Sequence, residues 1–440
     1  MRLPINEGSN IMADPFELWR LMWSTAISRG LESLSEAVPG DAPLDRGRHA
    51  NAMDLLSLPI LRRVRIELPT MLLLERSAEA FAKANPVLIV APYAVHEASI
   101  ADFADRHSLA QVLVEGGSDC VALTYWKSAT AEMRDYGIDA YLADLNVAID
   151  DLGGRVSLIG LCQGGWLAAA YAARFPRKVK RLVLAGAPID TGAAESRITQ
   201  TLFPVSTASI AQALALSGGR VLGSLSYALW SDELAQGFTA DAALQCADDP
   251  ALTAKFDAWN ARTVDLPGVY FLQTAEWIFR ENRLARGTFP SLGRVSRLPD
   301  IQAPIFVLAA ADDEIVALPQ ATAVKSLCTR TNVEVRVEPG QHLSLFMGRR
   351  TLNTAWREIA CWLREPDAPA PPSNRPALVA AAKRGRETAI AESGSGEARP
   401  ASIVKRPRNR RPPGLMKITH IADDFDVTDE SIIRDFEGSD

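Results

Sequence analysis

From residue 86 the chain alternates short, nearly continuous apolar runs with longer stretches of helical period. The runs are VLIVAPY (87–93), DCVALTY (119–125), RVSLIG (155–160), KRLVLAG (180–186), PIFVLAA (304–310) and VEVRVE (333–338). Strands that are apolar on both sides must be covered on both sides, and the intervening helices supply the cover. The pattern therefore predicts an α/β domain over residues 86–365, built on a mostly parallel sheet flanked by helices. Residues 190–298 break the alternation with helical signals and no clear strand. That interruption predicts a helical lid inserted over the carboxyl ends of the strands, where open α/β sheets bind ligands.

Both flanks read differently. Residues 1–85 are expected to form a helical extension, because Phe16, Trp19, Trp23 and Ile27 recur at spacings of three and four and mark a face that packs on the core. Beyond residue 365 the stretches PDAPAPPSNRP, ESGSGEARP and KRPRNRRPPG are rich in Pro, Gly, Ser and charge. Such segments bury too little apolar surface to offset ordering entropy, so residues 366–440 are expected to be a disordered charged tail. The basic run Lys405, Arg406, Arg408, Arg410 and Arg411 then reads as a solvated linker.

Composition narrows the function classes. A chain of 440 residues with 48% hydrophobic content can bury a sizeable core. Its net charge of −6 argues against nucleic acid or anionic membrane as a partner, since both need a positive field. No run approaches the roughly 20 apolar residues of a transmembrane helix, and the amino-terminal segment has no export-signal pattern. Cys120, Cys162, Cys246, Cys328 and Cys361 are odd in number, scattered and without a C-x-x-C pair. Neither a disulfide framework nor a bound metal is expected, and a reducing, cytoplasmic setting fits.

Candidate chemistry begins in SLIGLCQGGWLAAAYAARF (157–175), an apolar run, a glycine-rich bend and an alanine-rich helix pattern with Cys162 at the bend. This is the layout of a nucleophile elbow, G-x-S-x-G in α/β hydrolases, with sulfur in place of the serine oxygen. Gly160 and Gly164 make room for the strained turn, and the helix amino terminus places a positive partial charge beside the sulfur. A thiol nucleophile needs a base, and the base an orienting acid. In this fold the acid follows a late strand: AADDEIV offers Asp313, with a hydrophobic pair two residues on, and Asp312 as reserve. Of five histidines, His342 alone lies in a loop just past the last expected strand. The oxyanion site is expected from the N–H of Gln163 together with that of Tyr93 or Ala94. His96, Trp259, Tyr270, Phe271 and Trp277 are candidates for contact with substrate. No organic cofactor is required by this set.

G160-L-C162-Q-G164-G165, WNARTVDLP (259–267) and ENRL (281–284) resemble stretches of the polyhydroxyalkanoate synthases. The Cys162-Gln163 pair, AGAPID (185–190), DLPGVYFLQT (265–274) and HLSLFMGRR (342–350) resemble the intracellular depolymerases of the same polyester. The resemblance covers roughly residues 86–365 and implies an α/β-hydrolase fold with a cysteine, histidine and aspartate triad. It also implies a 3-hydroxyacyl ester, polyester or CoA thioester as substrate, association with polyester granules, and room for a homo-oligomer. Two departures are visible: Glu314 stands where synthases commonly place a histidine, and Gly164 where depolymerases usually carry proline. The first reading is hydrolysis of short-chain polyhydroxyalkanoate. The alternative is polymerisation of 3-hydroxyacyl-CoA, and a third reading of another class is a non-catalytic granule-binding protein.

Overall fold

The architecture comes from a computed structural model that describes residues 58–76, 86–118, 120–202, 206–224, 239–245 and 249–365. All of these fall in one compact unit, Met1–Ala368. Its frame is an eight-stranded sheet: β1 Arg63–Glu67, β2 Met71–Glu75, β3 Val87–Val90, β4 Val121–Trp126, β5 Val156–Leu161, β6 Val179–Ala185, β7 Ile305–Ala310 and β8 Val333–Glu338. Their spatial order is β1-β2-β4-β3-β5-β6-β7-β8. Pairing is parallel from β4 to β8 and antiparallel where β2 meets β4 and where β1 meets β2.

The six apolar runs read from the sequence each form a strand at the expected place. Every residue of β3, β4, β5 and β7 is buried, as a sheet covered on both faces requires. Cover comes from helices including α1 Leu109–Glu115, α2 Ile138–Asp151, α3 Gln163–Arg174 and α4 Ala355–Arg364. In α4 the apolar stripe is plain: Trp356, Ile359, Ala360, Trp362 and Leu363 are buried, and Arg357, Glu358 and Arg364 face solvent.

The expected helical extension is corrected over residues 63–75, which form the edge hairpin β1–β2. The segment RVRIE alternates and MLLLE is too short a run to be told from a helix by period alone, with the bend at Leu68-Pro69 between them. Glu75 closes the hairpin: its carboxylate is buried between Arg63 at 3.0 Å and Arg65 at 3.1 Å. The amphipathic stretch around Phe16–Ile27 and the charged tail at 366–440 lie outside the described residues.

Between β6 and β7 the expected insertion is mainly helical, with helices at Arg197–Leu202, Thr207–Leu216, Pro250–Asn260 and Gly268–Gln273 and a π-helix at Thr274–Arg280. Two short antiparallel pairs were not read from the sequence, Arg220–Val221 with Leu266–Pro267 and Phe289–Ser291 with Arg294–Ser296. Two or three residues per strand are too few for a period-two signal to rise above helical neighbours. Among the described residues no helix is long and apolar enough to cross a membrane, and no group of three or more metal-ligating side chains converges.

Candidate active site

Cys162 sits between the carboxyl end of β5 and the start of α3, with φ 48° and ψ −118°. A non-glycine residue there is strained, and the neighbours hold it in that state. A Cβ on Gly164 would lie 2.1 Å from the Val90 carbonyl oxygen, and one on Gly160 would lie 2.5 Å from the Gly165 Cα. Only glycine at those places lets strand, bend and helix close up. The bend is tied down from outside by the Cys162 N–H, which donates to the Ala185 carbonyl on β6 at 2.9 Å.

His342 arrives on the loop after β8. Its Nδ1 lies 2.8 Å from Oδ2 and 3.0 Å from Oδ1 of Asp313, which stands on the loop after β7. Asp313 is itself fixed: Oδ1 accepts from the N–H groups of Ile315 at 2.9 Å and Val316 at 2.8 Å. Those bonds explain the spacing between the acid and the hydrophobic pair. Asp312 is exposed, and its backbone N–H donates to Gly340. A second carboxylate steadies the histidine loop, since Glu314 Oε2 accepts from the His342 N–H at 3.1 Å.

The electrostatics follow from this enclosure. Burial alone would push the His342 imidazole down. The Asp313 carboxylate and, behind it, Cys162 instead hold it well above the ordinary histidine range. Nε2 is buried and has no hydrogen-bond partner of good geometry among the described residues. Gly186, at φ 53°, leaves the ring its space: a Cβ there would be 3.1 Å from His342 Cε1.

Gln163 is the first residue of α3, so its N–H has no partner within the helix. Across the site, the loop after β3 is pinned at Ala91, whose N–H donates to Thr124 Oγ1 at 3.1 Å and whose carbonyl accepts from Trp126 Nε1 at 2.8 Å. Tyr93 and Ala94 follow on that loop. The Tyr93 hydroxyl is held by the Lys127 and Asp265 carbonyls at 2.9 and 3.2 Å.

One cavity of about 160 Å³ collects most of the expected residues: Cys162, Gln163, Tyr93, Ala94, His96, Tyr270, Phe271 and His342 all line it. Trp259 and Trp277 do not. Trp259 is 1% exposed and stacks on His96 with ring centroids 4.5 Å apart, so it supports the wall from behind. Trp277 packs edge-on against Phe289 and beneath Arg283. Spacing along a helix could not separate Trp277 from Tyr270 and Phe271, because the π-helix beginning at Thr274 changes the angular step between side chains. His96 is held by the Asn260 carbonyl at 3.1 Å from Nε2, and burial pushes its imidazole down to about 4. The sequence reading missed Ile198, Leu266, Thr274, Ala275, Phe279, Ile315 and Phe346, which complete the wall. Most are apolar, and although Leu266, Thr274, Ile315 and Phe346 fall in stretches quoted above, nothing in those stretches marks them as wall and not core. Thr274 was hidden in a helical run.

Comparison with known proteins follows from this geometry. A family model described as alpha/beta hydrolase fold matches residues 117–348. The chain is similar to the poly(3-hydroxyalkanoate) polymerase subunit of Allochromatium vinosum, 23% identical over 81% of this chain and 99% of the relative. It is also similar to the polymerase subunit of Haloferax mediterranei, at 24% over 64% of this chain and 58% of the relative, and to that of Synechocystis sp., at 27% over 64% and 78%. Among solved structures, a thermophilic esterase from Thermogutta terrifontis is 15% identical, covering 64% of this chain and 90% of its own, with a TM-score of 0.41. A monoacylglycerol lipase from Paleococcus ferrophilus is 12% identical, covering 64% and 95%, with a TM-score of 0.42.

Proposed function

From the premise that this chain belongs to the alpha/beta hydrolase fold family, we propose that it is an acyltransferase in which Cys162 accepts a 3-hydroxyacyl group from a thioester and passes it to an alcohol. The names of its curated relatives support polymer formation over the hydrolysis that the sequence reading put first. The observation that carries the proposal is a sulfur on the strained bend, beside a buried imidazole oriented by a carboxylate.

Cys162 gives its thiol proton to His342 Nε2 as Sγ attacks the thioester carbonyl, and the oxyanion is held by the Gln163 N–H with that of Tyr93 or Ala94. The tetrahedral intermediate collapses, the carbon–sulfur bond to the donor breaks, and His342 returns a proton to the leaving thiol. The acyl group is now a thioester of Cys162, with the transfer potential of the donor retained. In the second half, His342 Nε2 takes the proton of an incoming hydroxyl, whose oxygen attacks the same carbonyl. Cys162 leaves as the group released, and an ester is formed. Asp313 fixes Nδ1 throughout and stabilises the imidazolium.

A cavity of about 160 Å³ is close in size to one of about 150 Å³ that binds benzene, which suits a short acyl chain. Hydrolysis is the second reading, favoured by Glu314 in the place where synthases commonly carry a histidine. The two differ in the donor, a polyester rather than a CoA thioester, and in the acceptor, water rather than a hydroxyl. Purified protein is given 3-hydroxybutyryl-CoA, and free CoA, polymer and soluble 3-hydroxybutyrate are followed. Polymer with CoA release is expected, and Cys162→Ala abolishes both. Soluble acid as the sole product selects hydrolysis, and unchanged CoA release by Cys162→Ala overturns covalent catalysis.

A further inference from the structure

Most polar groups on the cavity wall already have a partner. His342 Nδ1 is engaged by Asp313, His96 Nε2 by the Asn260 carbonyl, and Gln163 Oε1 accepts from Trp166 Nε1 at 2.6 Å. Two hydroxyls are different. Tyr270 and Thr274 stand four residues apart, on successive turns where the helix Gly268–Gln273 passes into the π-helix, and both line the cavity. Thr274 Oγ1 is buried without a hydrogen bond of good geometry.

The Tyr270 ring is clamped by Tyr93 at 5.2 Å and Tyr141 at 4.6 Å between centroids, so its hydroxyl has a fixed direction. Burial pushes the phenol well above its ordinary range, with Tyr93 and Cys162 among the groups that raise it further. It is therefore held as a neutral donor, and it lies within the electrostatic reach of the sulfur.

We infer that the Tyr270–Thr274 hydroxyl pair receives the oxygen on C3 of the acyl group, making this cavity selective for 3-oxygenated over plain acyl chains. The inference rests on the proposed acyl transfer at Cys162. An apolar pocket separates ligands that differ by one methylene only roughly 10- to 200-fold, whereas a pocket that hydrogen-bonds a substrate hydroxyl can reject the analogue lacking it by about 10⁴-fold, because its own polar groups are then left unpaired. A fixed phenol donor and an unsatisfied hydroxyl beside the nucleophile are the second kind of pocket.

The test compares kcat/KM for CoA release from 3-hydroxybutyryl-CoA and from butyryl-CoA, with acylation of Cys162 read by intact mass. The wild-type protein is expected to favour the hydroxylated donor. Tyr270→Phe and Thr274→Val, both nearly isosteric, are expected to cut that preference tenfold or more by slowing the hydroxylated donor, and Thr274→Ser is expected to restore it. Preference ratios unchanged in both variants, at unchanged thermal midpoints, overturn the inference while leaving acyl transfer intact. Failure of both donors to acylate the wild-type sulfur overturns the transfer reading and this inference with it.

Discussion

Nδ1 of His342 meets Oδ2 of Asp313 at 2.8 Å, across 29 residues of chain that leave the sheet and return to it. Because the same carboxylate also accepts two backbone N–H groups through Oδ1, Asp313→Asn can keep the loop in shape while losing the charge and the tautomer it selects. The expected result is a fall of about 10³- to 10⁴-fold in kcat for acylation with little change in thermal midpoint. A loss below tenfold would remove Asp313 from the proposed machinery.

Gly164→Ala tests the elbow as packing. The added Cβ would meet the Val90 carbonyl oxygen at 2.1 Å and that of Ala91 at 2.6 Å, and neither backbone can yield without moving the loop that carries Tyr93 and Ala94. Overpacking of this kind costs about 1–3 kcal/mol, and more where backbone must move. A lower unfolding temperature and slower acylation are expected together. An undisturbed midpoint would contradict the close approach.

Two histidines should give stability opposite dependences on pH. His96 falls to about 4 in the folded chain from an ordinary 6.5, so between those values the unfolded chain takes up a proton that the folded chain refuses. Stability is lost as pH drops through that window. His342 is raised above 6.5, so its contribution is complete below that pH and is lost as pH climbs through the folded value. Thermal midpoints from pH 4 to 9 should show His96→Gln flattening the acid limb and His342→Gln the alkaline limb. Unaltered limbs would refute the assignments.

Chain-length selection should reside partly in Phe279, which is 4% exposed and closes one side of the cavity. Phe279→Ala enlarges that space at a stability cost of about 3–5 kcal/mol. The ratio of kcat/KM for 3-hydroxyhexanoyl-CoA over 3-hydroxybutyryl-CoA is expected to rise roughly tenfold. A falling or constant ratio would place the end of the acyl chain elsewhere.

What could be read in advance has a physical pattern. The central strands were legible because burial on both faces leaves no choice but apolar residues, and Cys162, Asp313 and His342 were legible because strand ends bring them together in fixed order. The hairpin β1–β2 was not, since an edge position lets RVRIE carry charge, and MLLLE is too short for its period to tell strand from helix. Thr274 and Phe279 were hidden because a π-helix shifts which side chains share a face, and Trp259 was misplaced because a buried indole backing a wall and one lining it have the same sequence signature.

The elbow's confinement also bears on how such catalysts diversify. With no room for a Cβ at Gly160 or Gly164 and with the N–H of residue 162 tied to Ala185, exchanging its sulfur for oxygen would leave the side chain at the same point on the bend and in the same cavity wall.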